Sequence, residues 1–295
     1  NHTLAPTLPS QPRAGREVLP LPHTANYMER TVSARMVFRT TPDEKPALAI
    51  AVARNPGYTS FDESLTVTAD GQPVPFQELA DNHGGRLHYM EFVEPTEVTV
   101  EYSATVAGQA IAEEATLAEL IRYVRPSRYA ESDRLLPTAY AEFGGLHGAE
   151  LLQAVRRWVF GELRYIGGSS RGTDGAVETL LHRRGVCRDF AHLAIALLRS
   201  KDVPARLTAV YAPGLSPMDF HAVAEAHVNG AWHVIDPTGL APRESMLRIT
   251  AGRDSSDTAF LSTVGGRLTL TELRVSAVVN GQLPAEDPAR LVTLG

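Results

Sequence analysis

The chain contains one cysteine, Cys187, in 295 residues. A lone thiol forms no internal disulfide, and no HExxH or CxxC pattern accompanies it, which argues against a catalytic or structural zinc site. No apolar run approaches the roughly 18 residues of a membrane helix, so no membrane partner is expected. Basic clusters are also missing. The net charge is −6 and the isoelectric point about 5.9, which excludes a nucleic-acid-binding surface as the leading reading. There is no repeat and no low-complexity tract. The Gly- and Ser-rich stretch YIGGSSRGTDG lacks the lysine of a phosphate-binding loop. The first residues, NHTLAPTLPSQPRAG, show no apolar signal core, and together with the unbridged thiol this gives a cytoplasmic expectation.

Residues 1–25 carry five prolines, at positions 6, 9, 12, 20 and 22, and read as a flexible tail. Residues 26–108 read as a β domain, with short runs rich in Val, Thr, Phe and Tyr between turn residues. Expected strands are Thr31–Thr40, Ala47–Ala53, Ser64–Ala69, Gln72–Phe76, Arg86–Val93 and Glu97–Thr105, with a tight turn at Asp70-Gly71. An antiparallel sandwich or barrel closes them. Residues 109–285 form the second unit, opening with helices expected over Ala110–Tyr123 and Gly148–Leu163. A short helix follows, capped by Thr173 and stopped by Gly185. Residues 286–295 are expected to be a tail. The class is α+β.

Within GVCRDFAHLAIALL, residues Phe190, Leu193, Ala194, Leu197 and Leu198 mark one buried helix face. Cys187 precedes Phe190 by one turn. It therefore stands at the helix N-terminus, where free N–H groups and the macrodipole favour a thiolate. Taken alone, it reads first as an inert packing residue. A nucleophile also needs a base, and the hairpin HAVAEAHVNGAWHVIDPT supplies candidates. Its Asn229-Gly230 turn pairs Val228 with Ala231, His227 with Trp232, Glu225 with Val234 and Val223 with Asp236. His221 is then the diagonal neighbour of Asp236, ~7–8 Å between Cα atoms. His227 is too far up the strand, and His233 faces the other side.

An imidazole can take the thiol proton and return it to a leaving group, and a carboxylate can orient the ring. Cys187, His221 and Asp236 fill these roles. Backbone N–H groups at the start of the cysteine helix, with the phenol of Tyr165 as a side-chain candidate, would receive the oxyanion. A metal centre is the rival class. His182, Cys187, His192, His221, Glu225, His227 and His233 have the right chemistry, but their spacing does not converge.

These residues resemble the bacterial transglutaminase-like family. RRGVCRDFAHLAIALLRSKDVPARLTAVY is similar to its cysteine helix and following strand, and FHAVAEAHVNGAWHVIDPT to its histidine and aspartate strands. GRDSSD resembles its downstream Gly-Arg-Asp segment, and RYVRPSRYAESDRL the stretch before the core. The resemblance implies an N-terminal β domain followed by a papain-like core, with Cys187 as nucleophile, His221 as base and Asp236 as orienting acid. Val223 departs from the family, which often has tryptophan there, so a different wall of the acyl pocket is expected. Members include amine-transferring transglutaminases, peptidases and amidases, all proceeding through a thioester. The calcium ligands of the animal enzymes have no counterpart, and neither metal nor cofactor is expected. The resulting expectation is a hydrolase of a peptide or amide bond, with a peptide or protein as substrate. Amine transfer and a non-catalytic scaffold retaining the fold are the alternatives.

Overall fold

The computed structural model describes residues 28–294. The tail expected over residues 1–25 lies outside the described residues. Period-2 burial sets the first strand, where every second side chain from Arg30 to Phe38 is buried. Seven strands follow one another: β1 (Glu29–Arg39), β2 (Pro46–Leu48), β3 (Tyr58–Ala69), β4 (Gln72–Pro73), β5 (Gln77–Ala80), β6 (Arg86–Tyr89) and β7 (Glu97–Gly108). The Asp70-Gly71 turn joins β3 to β4 with both residues at positive φ, 50° and 73°. The strand expected over Ala47–Ala53 is shorter than its composition suggests. Beyond Leu48 the backbone bonds elsewhere: the Val52 N–H donates to the Tyr102 hydroxyl, the Ala53 N–H to the Arg248 carbonyl, and the Ile50 carbonyl accepts from Tyr211 Oη.

The helical region begins later than expected, at α1 (Leu117–Tyr123), where Thr116 and Glu119 form a reciprocal capping box. Ile111 is held as extended chain by the side chain of Asn55, which binds both its N–H and its carbonyl. Then come α2 (Ser132–Phe143), α3 (Gly148–Glu162), β8 (Arg164–Tyr165), α4 (Ala176–His182), β9 (Arg184–Gly185) and α5 (Cys187–Ser200). Gly175, rather than Thr173, is the N-cap of α4, and Arg183, at φ 56°, ends it. Gly185 pairs within the short parallel β8–β9 ribbon instead. A Cβ there would lie 2.5 Å from that of Asp189, so only glycine allows this close approach.

Periodicity marks one buried face on α5, but the helix is buried on every side from Asp189 to Ser200. The reason is its position. Helices α2, α3 and α4 surround it, and its remaining side lies on the sheet of β10 (Ala205–Tyr211), β11 (His221–Val228), β12 (Ala231–Ile235) and β13 (Leu247–Gly252). That antiparallel sheet runs in the order β12-β11-β10-β13.

The last strands, β14 (Leu261–Thr263) and β15 (Thr269–Val279), lie within the 109–285 segment but pair with β2 and β1 of the N-terminal region. They complete a sheet β15-β1-β7-β3-β4 and a second sheet β14-β2-β6-β5. Pairing occupies the edge of β1 that β7 leaves free. The segment expected as a C-terminal tail is also anchored. Val292 and Leu294 are buried, the Val292 carbonyl accepts the Val234 N–H, and Arg243 donates to the carbonyls of Asp287 and Arg290. The two halves share a core, because Tyr211, Leu247 and Ile249 from the β12-β11-β10-β13 sheet pack into the cluster built by β1, β3 and β7. No helix among the described residues is long and apolar enough to cross a membrane.

Candidate active site

Cys187 is the first residue of α5 and is half-buried. The helix starts there because Val186 is extended and Asp189, one turn in, accepts the Val186 N–H at 2.8 Å. Ser170 Oγ donates to the other oxygen of Asp189 at 2.9 Å. Burial pushes the Asp189 carboxyl up, against the pull of these two donors.

His221 opens β11 and Asp236 follows β12 directly, so hairpin register alone brings them together. The ladder pairs Val228 with Ala231, His227 with Trp232 and Glu225 with Val234, as the Asn229-Gly230 turn predicts. His221 Nε2–H donates to Asp236 Oδ2 at 2.7 Å. Asp236 Oδ1 accepts the Thr238 N–H at 2.9 Å and the Thr238 hydroxyl at 2.7 Å, which fixes the carboxylate plane. Both side chains are buried. Burial opposes the imidazolium, but the charge and hydrogen bond of Asp236 and the neighbouring thiol of Cys187 outweigh it and raise His221 to about 10. Burial likewise opposes the Asp236 carboxylate, and His221 and Thr238 hold it below the usual range. Nδ1 of His221 makes no formed hydrogen bond. It is the ring nitrogen that the aspartate leaves unengaged.

Tyr165 ends β8 and leans on Phe190 of α5, ring centroids 5.9 Å apart. Burial and then the charge of Cys187 push its phenol up to about 12, while the facing Cys187 N–H works the other way. At neutral pH it is a neutral hydroxyl facing the Cys187 backbone N–H.

The remaining histidines go elsewhere. His227 packs against Trp232, centroids 5.3 Å apart, and His233 is buried on its strand. His192 stacks on Tyr129 at 5.4 Å, and its Nε2 accepts the Ser255 N–H at 3.1 Å. Glu225 is bound by Arg206 at 2.9 Å, Arg248 at 2.7 Å and the Thr208 hydroxyl at 2.6 Å. Asp254 of the Gly-Arg-Asp segment accepts the Tyr129 N–H at 3.0 Å, tying that segment to the stretch before the core.

Cys187 and His221 open onto a cleft of about 620 Å³. Sequence reading did not foresee its other walls. Asp219 and Phe220 come from the loop before β11, Ser255, Ser256, Thr258, Ala259 and Phe260 from the loop after β13, and Ala49, Leu261 and Leu273 from the N-terminal sheets. Local patterns contain no signal for side chains that meet across some 200 residues of chain. Val223, expected to alter an acyl-pocket wall, lies instead in a separate buried cluster with Val210, Val234 and Met246. Strand alternation turns it to the sheet face away from α5.

Residues 139–237 match the family profile of the transglutaminase-like superfamily. The fold superposes on the crystal structure of a candidate cysteine protease from Cytophaga hutchinsonii with a TM-score of 0.80 and 30% identity, covering 89% of this chain and 94% of that one. The chain belongs to the transglutaminase-like superfamily. Among curated proteins, ML0607 of Mycobacterium leprae is 32% identical over 134 residues, 41% of this chain and 47% of that protein. Rv2569c of Mycobacterium tuberculosis is 41% identical over 56 residues, 19% of this chain and 18% of that one. This chain thus spans about half the length of the first relative and under a fifth of the second. The transglutaminase-like segment encloses Cys187, His221 and Asp236 and closes one residue past the aspartate.

Proposed function

We propose that the protein is a thiol-dependent acyl-transfer enzyme that hydrolyses a peptide or amide bond through Cys187, His221 and Asp236. The observation that carries this reading is the His221–Asp236 hydrogen bond, which leaves Nδ1 for the thiol that opens onto the same cleft. The Cytophaga hutchinsonii relative, named as a candidate cysteine protease, supports it.

In the first half-reaction the Cys187 sulfur attacks the amide carbonyl carbon. The Cys187 N–H and the Tyr165 hydroxyl receive the oxyanion. The imidazolium of His221 then gives its proton to the leaving nitrogen, the C–N bond breaks, and a thioester remains on Cys187. In the second, water attacks the thioester carbonyl as His221 takes its proton, the C–S bond breaks to return the Cys187 thiolate, and the carboxylic acid leaves. Asp236 keeps the ring oriented and its charge balanced throughout. A primary amine in place of water gives amine transfer by the same steps.

Peptide amides and a glutamine-containing protein with a labelled primary amine, run in parallel, test the reading. Release of ammonia or of a cleaved peptide, abolished in Cys187→Ala, is the expected result. Full activity in Cys187→Ala, or a thiol inert to iodoacetamide at neutral pH, would overturn it. Amine incorporation outpacing hydrolysis would reassign the acceptor, and intact binding of a partner without turnover would point to a scaffold.

A further inference from the structure

The cleft lies at a seam. On one face of the catalytic sheet, Leu207 packs under α5, while Ile249 and Ala209 belong to the core shared with the N-terminal sheets. Between the two coverings the face stays open, and Cys187 stands at its margin. Ala209 of β10 and Ala222 of β11 are direct cross-strand partners, so their methyl groups sit side by side on the floor. Ala49 is a third small residue at the wall, Phe220, Phe260, Leu261 and Leu273 are its large apolar residues, and Ser255, Ser256 and Thr258 add hydroxyls from the loop after β13. Three alanines where larger side chains would fill the gap leave an apolar recess beside the nucleophile.

Apart from His221, the charged side chains of the lining, Asp219 and Arg188, are engaged by the protein itself. Asp219 is exposed and caps its own loop by accepting the Phe220 N–H at 2.7 Å. The Arg188 guanidinium is turned away to Ser170 Oγ and the Arg171 carbonyl, each at 3.0 Å. A charged substrate side chain seated on the Ala209–Ala222 floor would lose its hydration against methyl groups, whereas an apolar one releases water from both surfaces.

We propose that the enzyme selects amides carrying a bulky apolar side chain next to the scissile carbonyl, and that Ala209 and Ala222 set the size accepted. The inference deepens the acyl-transfer reading and rests on it. It also gives the N-terminal sheets a role, since Ala49, Leu261 and Leu273 form the second wall of the recess.

Alkylation of Cys187 by N-acetyl-aminoacyl chloromethyl ketones tests selectivity without turnover. With rates normalised to iodoacetamide, the leucine and phenylalanine reagents are expected to react at least about 10-fold faster than the aspartate and lysine reagents. Ala209→Leu should erase that advantage and leave iodoacetamide labelling unchanged. Should that variant fail to fold, Leu273→Lys, at a half-exposed wall position, should slow the leucine reagent selectively. Equal rates across the series, or faster aspartate or lysine labelling, would overturn the proposal while leaving the nucleophile in place. If iodoacetamide fails to label Cys187, the acyl-transfer reading falls. The recess is then judged by methyl NMR shifts of Leu207, Leu261 and Leu273: shifts with N-acetylphenylalaninamide but not with N-acetylaspartamide uphold it, and no shifts discard it.

Discussion

Asp236 holds His221 with one carboxylate oxygen, at 2.7 Å, and is itself held through the other by the backbone and hydroxyl of Thr238. The imidazole is therefore fixed through a chain that ends on a turn, and little freedom remains at Nδ1. Asp236→Asn preserves the shape but removes the charge and offers the wrong hydrogen-bonding group. A loss of about 10³–10⁴ in kcat is expected, measured by amide hydrolysis, with circular dichroism unchanged.

The same pair sets a pH signature in stability. His221 is raised above its unfolded value, so its contribution is complete below about pH 6.5 and is lost as pH rises through about 10. Asp236 is lowered, so its contribution is complete above about pH 4 and is lost as pH falls below that. The melting-temperature difference between wild type and Asp236→Asn should peak between about pH 4 and 6.5 and shrink on both sides.

His192 works in the opposite sense. Burial lowers it to about 3, and it serves as a neutral acceptor for the Ser255 N–H. The unfolded chain takes up a proton below about pH 6.5 that the folded chain refuses until about pH 3. Stability should fall over that interval by up to about 1.4 kcal/mol per pH unit, and His192→Gln should flatten the slope in denaturant titrations.

Glu225 neutralises two buried guanidinium groups, Arg206 and Arg248, and is held down to about 2 by them and by Thr208 against the effect of burial. Glu225→Gln leaves Arg206 without a paired carboxylate and Arg248 with only Glu113, at 3.8 Å. Urea unfolding should show a loss of about 3–5 kcal/mol.

Tyr165→Phe removes the proposed oxyanion donor but keeps the ring against Phe190. A fall of about 10²-fold in kcat is expected, with iodoacetamide labelling of Cys187 unchanged. A role confined to packing predicts unchanged kcat.

What could be read from the sequence was local. The start of α5 and the register of the β11–β12 hairpin depend on neighbours within a few residues, and both place Cys187, His221 and Asp236 as expected. Long-range pairing was not readable. Thr269–Val279 joins a strand some 240 residues earlier, and no local pattern names that partner. For the same reason the boundaries at 109, 285 and 286 do not separate the parts, and the second wall of the cleft went unforeseen. Glu225 entered the sequence reading only as a candidate metal ligand, and Arg206 and Arg248 carried no signal, because burial of a charge becomes visible only when its partners converge.

The most direct test of the account is to trap the covalent intermediate. A peptide amide with a leucine or phenylalanine side chain is mixed with enzyme, quenched in acid within the first turnover and examined by peptide-mapping mass spectrometry. The account predicts an acyl mass on the peptide containing Cys187, decaying on longer incubation to free acid and accumulating less in Asp236→Asn. Turnover with no acyl group on Cys187, or turnover that persists in Cys187→Ala, would contradict it.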